Sequence, residues 1–236
     1  MSNEVAVRQN EKALAITPGT EDLVREDLVI PRVRLVQPTS ALDGNAGELY
    51  NSLTGESQAE IRAIILRIGK SRVMWPEGFE RNQSPLCASN DGIAPRPEFA
   101  GEYAERCEGC PMTEWGDDGT PPRCAFGYTY LCSDVGCDDL PFVLTASRSN
   151  LKAARTLNTL SKAFGPRRQV VISAQQAISD RGKYFTLRFA LGDNVAPEDV
   201  GRYVAMSRAL GGVTLGPDVG NGDSDSEAED AEPLFG

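Results

Sequence analysis

Hydrophobic and polar positions alternate through most of the chain from residue 28 onward, whereas residues 1–27 are polar with little periodicity and read as an N-terminal arm. After Leu28-Val29-Ile30-Pro31, Val33 and Leu35 fall on one face and Arg32 and Arg34 on the other, which predicts a half-buried strand with a basic outer face. Turn residues follow at Asp43-Gly44-Asn45 and Thr54-Gly55-Glu56. Glu60 to Trp75 predicts a long strand, with Ile61, Ala63 and Ile65 alternating with Arg62, Ile64 and Leu66 and the run continuing from Ile68 to Val73. Phe126–Leu131 and Leu140–Ala146 read as a β-pair joined through a Cys132–Cys137 loop. Gln169–Ile178 and Lys183–Leu191 read as a hairpin turning at Ser179-Asp180-Arg181-Gly182.

Two stretches switch to helical spacing. Ser149 to Phe164 places Leu151, Leu157, Leu160 and Phe164 on one stripe, with Ser149 or Asn150 as cap and Gly165-Pro166 as stop. Pro197 to Leu210 opens on Pro197-Glu198-Asp199 and closes at Gly211-Gly212. Beyond Gly216 the chain is mostly Gly, Asp, Ser and Glu, too polar and too charged to fold alone. The pattern predicts a mainly β fold: a Greek-key β-barrel of OB type with two helices and a small lobe inserted at about residues 84–126. The barrel would span 28–216, and 217–236 would be a disordered acidic tail with an apolar tip. A plain α+β domain with an antiparallel sheet is the alternative.

The cysteines sharpen this picture. All six lie between Cys87 and Cys137, and four of them read C-x19-C-x2-C-x13-C: Cys87, Cys107, Cys110 and Cys124. A CxxC turn aims two thiolates at one ion, and two more cysteines complete a closed tetrahedral shell, so these four are the expected ligands of a structural Zn2+. The chain has no histidine, so a zinc site here must be rich in thiolate. The segment is dense in proline and glycine and poor in apolar residues, so it needs a cross-link to hold its shape. Disulfides and a redox-active CxxC are the competing readings. Met1-Ser2-Asn3-Glu4 opens without a basic, apolar signal segment, which predicts a cytoplasmic setting unfavourable to disulfides. Cys132 and Cys137 read as bystanders, though either could replace Cys87 or Cys124.

Net charge, at -10, disfavours a polyanionic partner until its distribution is considered. Residues 218–236 carry seven acids and no base, while the forty-one residues from Arg148 to Arg188 hold nine bases against Asp180 alone. Arg62 to Arg72 holds four bases and no acid. No apolar run approaches a membrane span, so no membrane contact is expected. Basic stretches with interleaved aromatics suit single-stranded nucleic acid, where phosphates pair with Arg and Lys and bases stack on rings. The expected contacts are Arg62, Arg67, Lys70, Arg72, Lys152, Arg155, Arg167, Arg168, Lys183 and Arg188, with Trp75 and Tyr184 as stacking residues. Tyr128 and Tyr130 share one strand face, and Phe142, Phe185 and Phe189 are read as core.

Two resemblances extend this reading. The tail ends Glu232-Pro233-Leu234-Phe235-Gly236 and is similar to the tails of bacterial single-stranded DNA-binding proteins, where an acidic linker ends in a Pro-Phe tip that docks on replication and repair enzymes. Here Leu234 stands between Pro233 and Phe235, and Gly236 moves the carboxylate off the ring; Leu234 and Phe235 are the implied partner contacts. Cys87-Ala88-Ser89-Asn90-Asp91-Gly92, Cys107-Glu108-Gly109-Cys110-Pro111, Trp115-Gly116 and Cys124 resemble the zinc-bearing single-stranded DNA-binding proteins of tailed phages and mobile elements. That resemblance implies an OB-type fold, a structural metal and sequence-independent binding of exposed strands during replication or recombination.

Catalysis is not expected. An all-cysteine zinc offers no open position, no histidine is present to serve a nucleophile, and no GxxxxGK(S/T) loop occurs. The competing function is a zinc-stapled adaptor or modulator of a host replication or transcription enzyme. Residues 84–126 favour it, because their eight acids against three bases suit a basic protein surface better than DNA.

Overall fold

The computed structural model describes residues 22, 29–78, 83–179 and 182–219. The N-terminal arm apart from Asp22, the acids from Asp223 onward and the tip residues Leu234 and Phe235 lie outside the described residues. One sheet dominates, in the order β3-β2-β1-β7-β6-β4-β8-β9, and β5 pairs separately on β4. Its strands are β1 (Arg32–Leu35), β2 (Leu49–Asn51), β3 (Ser57–Gln58), β4 (Glu60–Met74), β5 (Cys87–Ser89), β6 (Cys124–Asp134), β7 (Leu140–Ser147), β8 (Arg168–Ser179) and β9 (Gly182–Asn194). Among the described residues only β1 and β7 pair in parallel.

The sheet curls into a half-barrel, and a side-chain amide links the β1 side to the last strand, β9. Just past β1, Gln37 donates Nε2 to the Phe185 carbonyl at 2.8 Å and accepts the Phe185 N–H on Oε1 at 2.9 Å. A Cβ at Gly47, which has φ +95, would lie 2.7 Å from the Phe185 ring, so the close approach of β9 depends on glycine there. The inner face carries the main core, including Val33, Leu49, Ile61, Tyr130, Phe142 and Ile172. Helix α1 (Leu151–Phe164) seals this core with Ala154 and Leu157 and ends at Gly165, which has φ +55.

Helix α2 (Pro197–Ala209) lies on the outer face, where Ser207 donates to the Leu66 carbonyl and Tyr203 donates to Asp139 Oδ1. The chain then continues as an extended strap. Leu215 is buried with Leu131 and Val143, and Leu210 and Val213 pack beside them. Gly69 lets the strap lie close, since a Cβ there would stand 3.1 Å from Leu215 Cβ.

Alternation placed the long strand, the late hairpin and both helices within a few residues of their observed bounds. The first strand starts at Arg32, where the alternation begins, and ends at Leu35. Cys132 does not sit in a hairpin loop: β6 runs on through it to Asp134, and its side chain is fully buried in the core. β2, β3 and β5 were not anticipated, because runs of two or three residues carry no usable periodicity. Among the described residues no helix is long and apolar enough to cross a membrane.

Candidate metal centre and nucleic-acid interface

The metal candidates are built on the far end of β4. Met74 pairs with Cys87 of β5 on one side and with Cys124 of β6 on the other, so both cysteines flank one residue of the central strand. Cys107 and Cys110 arrive on a knuckle with Gly109 at φ +73, and the Thr113 hydroxyl donates to the Cys110 carbonyl at 2.8 Å. The Cys107 N–H is tied to the Ile93 carbonyl at 2.9 Å. Cys87, Cys107, Cys110 and Cys124 line one cavity of about 20 Å³, floored by Met74 and Met112. All six cysteines are free thiols. Cys132 is sealed in the core and Cys137 is exposed on a turn, so neither shares that cavity. Among the described residues no three Cys, Asp or Glu side chains already stand at ligand spacing.

Burial and then the neighbouring Cys107 and Cys110 thiols raise the Cys87 thiol. Burial pushes Cys124 up to about 11, against the pull of the Arg72 guanidinium. That guanidinium lies 5.3 Å from the centroid of the Phe126 ring, and its buried Nε has no hydrogen-bond partner. A cation held over a ring and beside a buried thiol is positioned to offset the charge of a thiolate shell.

A bulge between Ile65 and Arg67 shifts the register of β4 against β6. Ile68, Lys70 and Arg72 therefore pair with Tyr130, Tyr128 and Phe126, and paired residues point to the same side. The result is a basic row beside an aromatic row. Phe126 meets Tyr128 edge-on at 5.1 Å, and Tyr128 stands 6.5 Å from Tyr130. Lys70 is exposed and both outer rings are half-buried. Arg148 follows Ser147, the partner of Gly127, and holds φ +50, a strained backbone for arginine. Phe126 was not among the expected contacts, although the spacing of 126, 128 and 130 places the three rings on one strand face.

The remaining expected contacts are dispersed. Arg67 is turned outward and its guanidinium donates to the carbonyls of Leu210, Gly211 and Val213 at the end of α2. Arg167 caps α1 through the Ala163 and Phe164 carbonyls, and Arg168 bonds Asn194 and Gly192. Arg62 pairs with Glu60 and Asp193, while Lys152 and Arg155 are exposed on α1. Tyr184 and Arg188 share the face of β9 opposite Phe185, Lys183 is exposed near the hairpin tip, and Trp75 is half-buried past the end of β4. Only Lys70 and Arg72 of the expected cations stand beside rings at the cysteine end of the sheet.

Three further arginines meet on the outer face. Arg34 grips Asp218 with two bonds, 2.5 Å from Nε and 2.9 Å from Nη2. Arg32 Nε lies 3.8 Å from the same carboxylate, and its Nη2 donates to the Gly216 carbonyl at 3.3 Å. Burial lowers the Arg32 guanidinium, Asp218 supports its charge, and Arg34 and Arg96 oppose it.

Fold and site together define a mainly β protein, a curled half-barrel with a cysteine-bearing segment sewn into its central strand. The chain belongs to the Pam3 phage gp34-like protein family, whose model matches residues 3–214, and it is therefore phage-associated. No match was found among curated proteins or among solved structures.

Proposed function

We propose that this protein is a non-catalytic, sequence-independent binder of single-stranded DNA, acting in phage replication or recombination and braced by a structural Zn2+. The observation that carries the reading is the row of Lys70 and Arg72 running beside Phe126 and Tyr128, the pairing of cation and ring that single strands use. The connectivity supports it. β4 lies between β6 and β8, β7 follows β6, α1 separates β7 from β8, and β9 closes the order, which is how a five-stranded OB-type barrel is threaded. The cysteine segment then falls in the loop between the first and second barrel strands, and the β8–β9 turn between the fourth and fifth. Those loops border the nucleic-acid face of such barrels.

The donor set fits zinc: four free thiols around one ion-sized space, with Arg72 at hand for their charge. Bound there, the metal would supply a cross-link between β5, the knuckle and β6. A shell of four thiolates, lined by Met74 and Met112, would fit a structural role and not a hydrolytic one.

Replacing Phe126 and Tyr128 together by leucine keeps their apolar bulk and removes stacking. Affinity for an oligo-dT should fall about tenfold or more, at roughly 1–3 kcal/mol per stacked base, with the thermal midpoint nearly unchanged. Unchanged affinity in a folded variant would remove the row from the interface. The adaptor reading draws on Ile93 and Trp115, which are 56% and 54% exposed in the acidic cysteine segment and suit a basic protein surface.

A further inference from the structure

We propose that the zinc centre and single-stranded DNA compete for one guanidinium, that of Arg72, so that strand binding loosens the metal and the metal weakens the strand. The inference rests on the single-strand and structural-zinc readings and adds the regulation that links their two sites. The register of β4 sets up the conflict. Met74 pairs with both Cys87 and Cys124, and two residues earlier Arg72 pairs with Ser89 and Phe126. Paired residues, and those two apart on one strand, share a face of the sheet. The cysteine cavity and the row of Arg72, Lys70, Phe126 and Tyr128 therefore lie on the same face, with Arg72 at their junction.

Both sites draw on this one cation. Four thiolates around a divalent ion keep a net double negative charge, and Glu102 adds to the negative field at Cys87. The other cations near the centre are committed or screened. Arg123, next to Cys124, reaches Glu77 at 3.4 Å, and Arg106 lines the cavity but is exposed to solvent. Arg72 is half-buried, its charge acts on Cys124, and its guanidinium carbon lies 5.3 Å from the Phe126 ring centroid. Its buried Nε has no hydrogen-bond partner among the described residues. An open donor between a thiolate shell and a stacking ring can answer a sulfur or a phosphate oxygen, not both at once. A phosphate that takes the guanidinium leaves the thiolate charge uncompensated, and by linkage the metal costs the strand the same factor. Lys70 stands one pair further from the cysteines and is exposed, so it serves the strand without serving the metal.

The test measures the Zn2+ affinity of the full-length chain, Arg72→Gln and Lys70→Gln by competition with a chromogenic chelator, with and without saturating oligo-dT. The strand should lower the zinc affinity of the unaltered chain about fivefold or more. Lys70→Gln should need more oligo-dT to saturate and then show the same drop. Arg72→Gln should hold zinc about tenfold less tightly from the outset and show no further drop with the strand. Where Arg72→Gln keeps no zinc, Arg72→Lys restores the charge and should restore the metal and part of the drop; a lysine variant that binds zinc and strand without any drop overturns the proposal. So does an unaltered chain that binds both with unchanged or higher zinc affinity, or an Arg72→Gln chain that responds as the unaltered one does. Absence of oligo-dT binding in every form would sink the single-strand reading itself, and absence of zinc in the unaltered chain would sink the metal reading.

Discussion

Single residues close the half-barrel where backbone pairing stops. Asn150 Oδ1 accepts the Leu187 N–H at 2.7 Å in a buried setting, and Gln37 does the same for Phe185 further along the edge of β9. Each amide covers an edge that would otherwise present unpaired groups to another chain. Asn150→Ala leaves a buried donor without a partner and should cost about 1–3 kcal/mol, read as a lower urea midpoint at unchanged m-value. No loss of stability would mean that the edge is satisfied by water instead. At this scale the spacing of the cysteines pointed to one shared site, and Cys87, Cys107, Cys110 and Cys124 do line one cavity. The contact between Arg34 and Asp218 was not legible. Arg34 and Asp218 are separated by 184 positions, and nothing local in either stretch points to the other.

Among elements, β4 organises the molecule. Its first residues pair with β8, its length pairs with β6, and its end pairs with β5, so one fifteen-residue strand ties the barrel to the cysteine segment. That strand was readable because apolar alternation over such a length has no competing period. The bulge at Ile65/Arg67 was not readable, and it decides that Lys70 and Arg72 face the rings while Arg67 faces the strap. Short strands escaped for a different reason: β2, β3 and β5 exist through pairing with neighbours that the local sequence does not name. Stripping metal with a thiol-competent chelator should loosen the cysteine segment first. Limited proteolysis is then expected to cut within residues 90–123 while the β6–β9 body stays intact, and added Zn2+ should restore protection. Identical cleavage with and without chelator would argue against a metal staple.

For the whole molecule, charge is segregated between basic stretches with interleaved aromatics in the body and an acidic C-terminal stretch whose first acid, Asp218, is docked on β1. A chain that presents both a polyanion site and its own polyanion sets them in competition, and salt screens both. Truncation after Val219 keeps Asp218 and removes the other six acids of the stretch; it should tighten oligo-dT binding at low salt, with the gain fading as salt rises. Weaker binding by the truncated chain would instead make the acidic stretch a positive contributor. Membership of a phage family fits a strand-handling role without specifying it.

The most direct measurement is fluorescence anisotropy of a labelled oligo-dT and a matched duplex with the metal-replete, full-length protein across a salt series. Tight binding to the single strand, weak binding to the duplex and a steep loss of affinity with salt are the predicted results. Binding to neither, with or without residues 220–236, would contradict the single-strand function and leave a cysteine-stapled protein adaptor in its place.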